Sequence, residues 1–306
     1  MRKLFNKKLK LIFLCLLCIV IIIVMPIMST TKSSASSKNN MYVLNLWQID
    51  SFEGGKGSRA SYLQGIANNF SKSGNCYITV TTLSSVAARE NLKKGTVPDL
   101  ISYGAGTFGI ESYINGDSPF YTWCHGGYCF LCLNENSDFS DISPGNTIIN
   151  EGTENNSKVA ALMCGVEGAT YDKPTGAYVK LINGKYKYLL GTQRDIYRLK
   201  TRGLSFSIKP VTAFNDLYQN VSVTASDTYL ASKAEEFINY LLKNGEKVAQ
   251  LGLMVDRKSL HSDEMKAMEG LTYEFKLVSP ISANTKAEID EAISNNDLKK
   301  LKKLFN

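Results

Sequence analysis

Short apolar runs alternate with longer segments of helical period along the first third of the folded part of the chain. "MYVLNLW" (41–47) is an apolar run of strand length, followed by the glycine-rich loop "DSFEGGKGSR". Tyr62, Ile66 and Phe70, flanked by Leu63 and Ala67, repeat at helical spacing. The β-branched run "CYITVTTL" (76–83) predicts a second strand. Ser84 or Ser85 is placed to cap a helix over "VAARENLKK", which Gly95 ends. "VPDLISYG" (97–104) predicts a third strand. Strand, helix, strand, helix, strand is a βαβαβ unit, so a parallel sheet covered on both faces is expected. In such sheets ligands bind beyond the carboxyl ends of the strands. Here those ends carry Trp47, Gln48 and Asp50 after the first strand, and Ser102, Tyr103 and Gly104 after the third.

From Pro119 the pattern changes. "WCHGGYCFLCLN" and, much later, "LYQNVSVTAS" predict strands flanked by small or polar residues, suited to passing between two lobes. Between them "SKVAALMCG" and "PTGAYVKLING" are apolar enough for helices. In the second, Tyr178, Leu181 and Ile182 share a face and Gly184 can end the helix, although Asn183-Gly184 also fits a hairpin turn. "YKYLLG" predicts a strand running into Gln193, Arg194 and Asp195. "ASKAEEFINYLLKNGEKVAQLG" predicts a packed helix ending in glycine. The final "KAEIDEAISNNDLKKLKKLF" predicts one amphipathic helix with Ile289, Ile293, Leu298, Leu301 and Leu304 in a stripe. Its lysine-rich face suits solvent or a membrane surface.

The first 35 residues differ from the rest. Arg2, Lys3, Lys7, Lys8 and Lys10 precede "LIFLCLLCIVIIIVMPIMS", a basic segment before an apolar one, as in a signal peptide or an uncleaved signal anchor. The polar linker "TTKSSASSKNN" follows, with a cleavage-like site at Ser33-Ser34-Ala35. The bulk of the chain is therefore expected outside the cytoplasm, at the outer face of the membrane or secreted, with the N-terminal segment as its membrane contact. Cys15 and Cys18 each follow a leucine, which disfavours a lipoprotein. The formal net charge is +7, but residues 1–35 hold six of the 35 Lys and Arg and no acid, leaving 29 bases against 28 acids. The basic excess belongs to targeting, and no nucleic-acid partner is implied.

Five further cysteines, Cys76, Cys124, Cys129, Cys132 and Cys164, are an odd number and imply no closed disulfide framework. Cys124, His125, Cys129 and Cys132 are zinc-type ligands. A strand over "YCFLCL" would send Cys129 and Cys132 to opposite faces, so no metal is expected. No phosphate loop, dinucleotide fingerprint, zinc-protease helix or nucleophile elbow occurs, so the chain is read as not an enzyme and needing no cofactor. Asp50 and Glu53 leave a glycan-acting surface enzyme as a minor alternative. The strand ends supply aromatic plates and polar rims of the kind that hold a sugar or similar solute. The candidate ligand-binding set is Trp47, Gln48, Asp50, Glu53, Tyr103, Trp123, Gln193, Arg194 and Asp195.

"YVLNLWQIDSFEGGKGSR", "VPDLISYGAG", "KYKYLLGTQRDIYRLKTR" and "FINYLLKNGEKVAQLGL", in that order over about residues 41–255, resemble extracellular solute-binding proteins of bacterial ABC transporters, most of all the carbohydrate-type family. The resemblance implies two α/β lobes of the periplasmic-binding-protein-like fold, joined by crossover strands. It also implies a solute, a sugar by the family, clamped between the lobes and delivered to permease subunits. The expected division is 1–35 as signal segment with linker, 36–123 with 224–270 as the first lobe, and 124–223 with 271–306 as the second. A sensory or degenerate binding protein feeding a signalling partner is the alternative.

Overall fold

The structure, a computed structural model, describes residues 42–49, 52, 58–73, 76–114, 120–152, 157–249, 252–254 and 263–305. The first elements among the described residues are β1 (Tyr42–Ile49), α1 (Arg59–Ser73), β2 (Cys76–Leu83), α2 (Ser85–Lys93) and β3 (Leu100–Gly104). β1 pairs in parallel with β2 on one side and β3 on the other, which is the βαβαβ unit expected from the pattern. Ser84 caps α2 by accepting from the Ala87 amide at 3.2 Å, and Gly95, at φ +82°, turns the chain back toward β3.

β4 (Tyr121–His125) and β5 (Tyr128–Cys132) are separated only by Gly126 and Gly127. Then follow β6 (Thr147–Asn150), α3 (Ser157–Met163), β7 (Thr170–Asp172), α4 (Pro174–Ile182), β8 (Tyr188–Thr192), α5 (Gln193–Thr201) and β9 (Ser207–Pro210). β10 (Phe214–Asn215) and β11 (Tyr218–Val223) lead into α6 (Thr228–Lys243), the short α7 (Glu246–Ala249) and a 3-10 turn at Asp263–Met268. The chain ends with β12 (Phe275–Lys276), α8 (Ala283–Ser294) and α9 (Leu298–Leu304).

Two five-stranded sheets result, ordered β2-β1-β3-β11-β4 and β7-β6-β8-β5-β9, with β10 and β12 forming a small ladder beside them. Each large sheet has four strands running one way and one antiparallel intruder, β11 in the first and β5 in the second. Alternation along β1 sends Leu44 and Leu46 to a face shared with Leu63 of α1 and Phe237 of α6. Trp47 and Ile49 go to the face that packs Leu92 of α2 with Ile101 and Tyr103. In the second sheet Ile148 and Leu189 pack Leu181 of α4 and Leu199 of α5. Ile149 and Leu190 face Val159 of α3 and, further out, Ile289 and Leu301 of the C-terminal helices. The chain is thus a two-lobe α/β protein.

Four features depart from the sequence reading. Gln193, Arg194 and Asp195 form the first turn of α5 and do not end a strand, because Thr192 takes an extended φ of −130° and caps the helix that follows. The C-terminal segment is two helices: Asn296 takes a left-handed φ of 51°, and Asp297 starts α9 by accepting from the Lys300 amide at 2.9 Å. β11 and the Cys124-His125 end of β4 belong to the first sheet, so the change of lobe falls at Gly126-Gly127 and again before Tyr218. The turn at Asp263–Met268 packs on α5 and β9 of the second lobe, whereas the sequence division assigned it to the first. Asn183-Gly184 ends a helix, with Gly184 at φ +67°.

Candidate functional site

The strand registers locate the gap between the lobes. Gly104, last in β3, is opposite Gln219, and Gln219 is opposite Cys124, so β4 leaves the first sheet at the carboxyl ends of its parallel strands. Tyr128, first in β5, is opposite Thr192, last in β8, so the chain enters the second sheet at the carboxyl ends there. The returning crossover follows the same path: Val211 N donates to Tyr128 O at 2.9 Å, and Tyr218 is opposite His125. Both sheets therefore present their strand ends to one another across two short crossovers, the position at which α/β sheets hold ligands.

Hydrogen bonds lock the crossovers. Gly126 N donates to Leu217 O at 2.6 Å, and Asn215 Nδ2 donates to Gly126 O at 3.1 Å. Gly127 N donates to Gln193 Oε1 at 3.1 Å, and Gln193 N donates to Gly127 O at 3.1 Å. A Cβ on Gly126 would lie 2.4 Å from Gln193 Oε1, and one on Gly127 would lie 2.7 Å from Met268 Cε. A side chain at either position would push such a neighbour aside, the Gln193 amide at Gly126 and the Met268 methyl at Gly127. His125 and Met254 exchange backbone bonds of 3.0 and 2.8 Å beside them. The Tyr128 hydroxyl donates to Asp216 Oδ1 at 2.8 Å. Burial, then the Asp216 charge, pushes the Tyr128 hydroxyl well above its ordinary pKa, so it stays a donor.

Under the strand ends of the first sheet lies a buried polar network. Gln219 Nε2 donates to Ile49 O at 3.1 Å and to Ser102 Oγ at 3.0 Å, and Trp123 Nε1 reaches the same hydroxyl at 3.0 Å. Arg59, the first residue of α1, donates to Gln219 Oε1 at 3.2 Å and to Phe52 O, with its guanidinium 4.4 Å from the Phe52 ring centroid. In the second lobe Asn150, last in β6, donates to Asp195 Oδ2 at 2.9 Å, and Thr192 N donates to the same oxygen at 3.1 Å. Among the described residues Asn150 Oδ1 is buried without a hydrogen-bond partner. Burial raises the Asp195 carboxyl above its ordinary value, against the opposing effects of Asn150, the Thr192 amide, Arg198 and Arg194.

The candidate residues fall into distinct places. Trp47 and Tyr103 pack together on the α2 face of the first sheet, and the Tyr103 hydroxyl bonds to Ser222 at 3.0 Å. Trp123 lies on the opposite face, stacked on Tyr62 with centroids 5.8 Å apart. Gln48 is fully buried. Gln193, Arg194 and Asp195 come together at the crossover, where Gln193 and Asp195 are buried and Arg194 is half-buried. Asp50 and Glu53 lie outside the described residues. At the hinge the half-buried rings are His125 and Tyr218, with centroids 5.9 Å apart, and Tyr273.

The sequence reading did not single out Arg59, Asn150, Thr192, Asn215, Asp216 or Gln219. The available signal was polar residues inside apolar strands: Gln219-Asn220 in β11 and Asn150 closing "TIIN". Among the described residues no group of three or more His, Cys, Asp and Glu could hold a metal ion, and Cys76, Cys124, Cys129, Cys132 and Cys164 form no disulfide with one another. Cys129 faces the α4–α5 side of the second sheet and Cys132 the other. A separate hollow of about 540 Å³, lined by Lys200, Phe206, Ile208 and Asp263 among others, lies at the far end of α5 from the crossovers.

No protein-family model matches the chain, and no curated protein matches it by sequence. Solved structures do match its fold. An iron- and citrate-bound IdiA (FutA) from Trichodesmium is 9% identical, with a TM-score of 0.57 over 86% of this chain and 100% of that one. PotD, a spermidine/putrescine ABC transporter substrate-binding protein from Streptococcus pneumoniae, is 11% identical, with a TM-score of 0.56 over 85% and 98%. A ferric binding protein from Campylobacter jejuni is 10% identical, with a TM-score of 0.52 over 85% and 99%. These likenesses establish a periplasmic-binding-protein-like fold. None of the three is a carbohydrate-binding protein by its description.

Proposed function

We propose that the chain is an extracytoplasmic solute-binding protein that captures a small polar solute between its lobes and delivers it to an ABC importer permease. The supporting observation is the crossover geometry. Two sheets of one topology meet carboxyl end to carboxyl end at the crossovers, so a solute held there touches both walls and favours the closed state. The fold likeness to substrate-binding proteins adds to this reading.

The solute class follows from what the wall offers. Arg194 sits in the first turn of α5, whose N-terminus carries the positive end of the helix dipole. Arg194 and that helix terminus are the donors this wall offers, since the Asn150 amide nitrogen is committed to Asp195; this side of the gap therefore suits an acceptor-rich solute, and a sugar or sugar acid is the class we favour. Aromatic contact would come from His125, Tyr218 and Tyr273, since Trp47, Tyr103 and Trp123 are engaged in packing.

A thermal-shift screen across sugars, sugar acids, polyols, amino acids, polyamines and ferric citrate tests both levels. A true solute at about a hundred times its dissociation constant stabilises by about 2.7 kcal/mol. A flat response across the panel would overturn solute capture; a shift with polyamines alone would overturn the acceptor-rich class. For a confirmed solute, Arg194→Ala is expected to abolish most of the shift while leaving the melting of the unliganded protein nearly unchanged.

A further inference from the structure

Beyond the two crossovers, the C-terminal segment ties the lobes together by a separate route. It starts on the second lobe, where Met265 and Met268 of the 3-10 turn pack with Leu189 and Leu199. From there residues 273–281 form a strap, which first runs beside the returning crossover. Glu274 N donates to Thr212 O at 2.8 Å, Phe275 N to Ala213 O at 3.2 Å and Leu277 N to Asn215 O at 3.0 Å. The last four residues of the strap are held by the first lobe. Asn220 Nδ2 of β11 donates to Val278 O at 2.6 Å, Gly106 N to Ser279 O at 3.0 Å and Ile281 N to Thr107 O at 3.1 Å. Phe108 and Ile281 form a parallel bridge. Ser282 then caps α8, and α8 and α9 return to α3 of the second lobe with Ile289, Ala292 and Leu301 fully buried. α9 ends against the start of the strap: Phe305 packs on Phe214 with centroids 5.0 Å apart, and Lys302 pairs with Glu274 at 3.5 Å.

The strap has no slack. Leu277 is held to the crossover and Ser279, two residues on, to the first lobe, and two residues of extended chain span at most about 7 Å. Ile281 is held to the first lobe, and α8 begins at Ala283. Pro280, between the two rim bonds, fixes its own φ and keeps Ser279 extended. The rim itself is firm: Ala105 N donates to Tyr218 O at 2.8 Å, Thr107 Oγ1 to Gly104 O at 2.7 Å, and the Arg89 guanidinium of α2 lies 4.1 Å from the Phe108 ring centroid. The rim bonds lie beyond the end of β3, two strands from β4 and so about 10 Å to the side of the Gly126-Gly127 crossover. Rotation of one lobe about the crossovers therefore loads them. The α8–α9 attachment is apolar packing out of reach of water. On the rim, Gly106, Thr107, Val278 and Ser279 are half-buried, so water can take over their hydrogen bonds when they part. The rim is the weaker attachment.

We infer that residues 278–281 are a restraint on the clamp: while they are bonded to the rim the lobes keep one relative setting, and release of the rim bonds is the step that frees them to turn. The inference concerns lobe movement alone, goes beyond solute capture and holds or fails independently of it.

The test uses the full chain in detergent, without solute. Ketone-bearing residues in place of Val86 on α2 and Val179 on α4, both exposed and in different lobes, carry spin labels and leave the cysteines untouched. Ile281→Pro removes the donor to Thr107 O, and Ile281→Ala removes the side chain but keeps the donor. Relative to Ile281→Ala, Ile281→Pro is expected to broaden the label-to-label distance distribution about twofold or more. It should also speed hydrogen exchange at the Gly106 amide by on the order of tenfold. The opposite change is Phe108→Cys with Ile281→Cys, register partners that a disulfide can join. Its oxidised form is expected to give a narrower distribution than its own reduced form. Faster exchange at Gly106 with no broadening overturns the restraint, because the rim has parted and the lobes have not moved. Unchanged exchange overturns it as well, because the strap is then held by something other than these bonds. If Ile281→Pro fails to fold, the disulfide pair decides alone: equal distributions in its oxidised and reduced forms overturn the inference.

Discussion

At the scale of single residues, the crossover depends on what two glycines leave room for. The Gly126 backbone is held by Leu217 and Asn215, so a methyl group there must displace the Gln193 amide, which sits 2.4 Å from the ideal Cβ and is itself bonded to Gly127. Gly126→Ala is therefore expected to destabilise the fold by about 1–3 kcal/mol, as overpacking does, read by urea unfolding. Asp195 gives a prediction in pH. Its folded carboxyl is raised above the ordinary 3.8, mainly by burial, so the folded state keeps a proton that the unfolded chain has released. The stability it confers is intact below that value and falls as pH rises through the raised one. Asp195→Asn should flatten this loss in a pH series of unfolding curves; an unchanged slope would show that Asp195 is not its source. Neither partnership was legible in the sequence. Arg59 and Gln219 are 160 positions apart, and no local pattern encodes a contact of that separation.

At the scale of elements, local signals carried further. Strand and helix periods, the Ser84 cap and the Gly95 and Gly184 stops correspond to β1 through β3, α2 and α4 because each depends on neighbours within a turn or two. The reading failed at "GTQRD" for a related reason. An apolar run ending in polar residues looks the same whether a strand continues or a helix begins, and the deciding feature is the reciprocal cap between Thr192 and Asp195. That cap also aims Arg194. Thr192→Ala removes the acceptor for the Arg194 amide, now 3.3 Å from Thr192 Oγ1, and leaves Asp195 to hold the turn alone. It is expected to cost about 1 kcal/mol of stability. Solute affinity should fall with it by more than stability alone explains, and calorimetry beside denaturant titration separates the two. In the C-terminal segment the stripe Ile289 to Leu304 read as one helix because the apolar spacing carries across Asn295-Asn296-Asp297. The left-handed Asn296 and the Asp297 cap break it, and these two short helices can then fold over α3.

At the scale of the whole molecule, the question is where a clamp would pivot. The backbone bonds at the crossovers divide between two neighbouring residues: Gly126 is tied to Leu217 and Asn215, and Gly127 is tied in both directions to Gln193 at the head of α5. Gly127 therefore moves with the second lobe, and Gly126 moves with the returning crossover, so torsion at the Gly126-Gly127 junction turns one lobe against the other without breaking a ladder in either sheet. Hinges of this kind absorb large backbone changes at a few positions. The antiparallel crossing at residues 211–217 must bend in concert, and β10 gives it only a two-residue ladder with β12, a short tie to deform. Solute that bridges the strand ends should shift the population toward the closed form and contract the molecule, which small-angle scattering reads as a smaller radius of gyration on saturation. A solute that raises the melting temperature with no contraction would mean that binding occurs on one wall, and the shared topology of the two sheets would then have no part in capture.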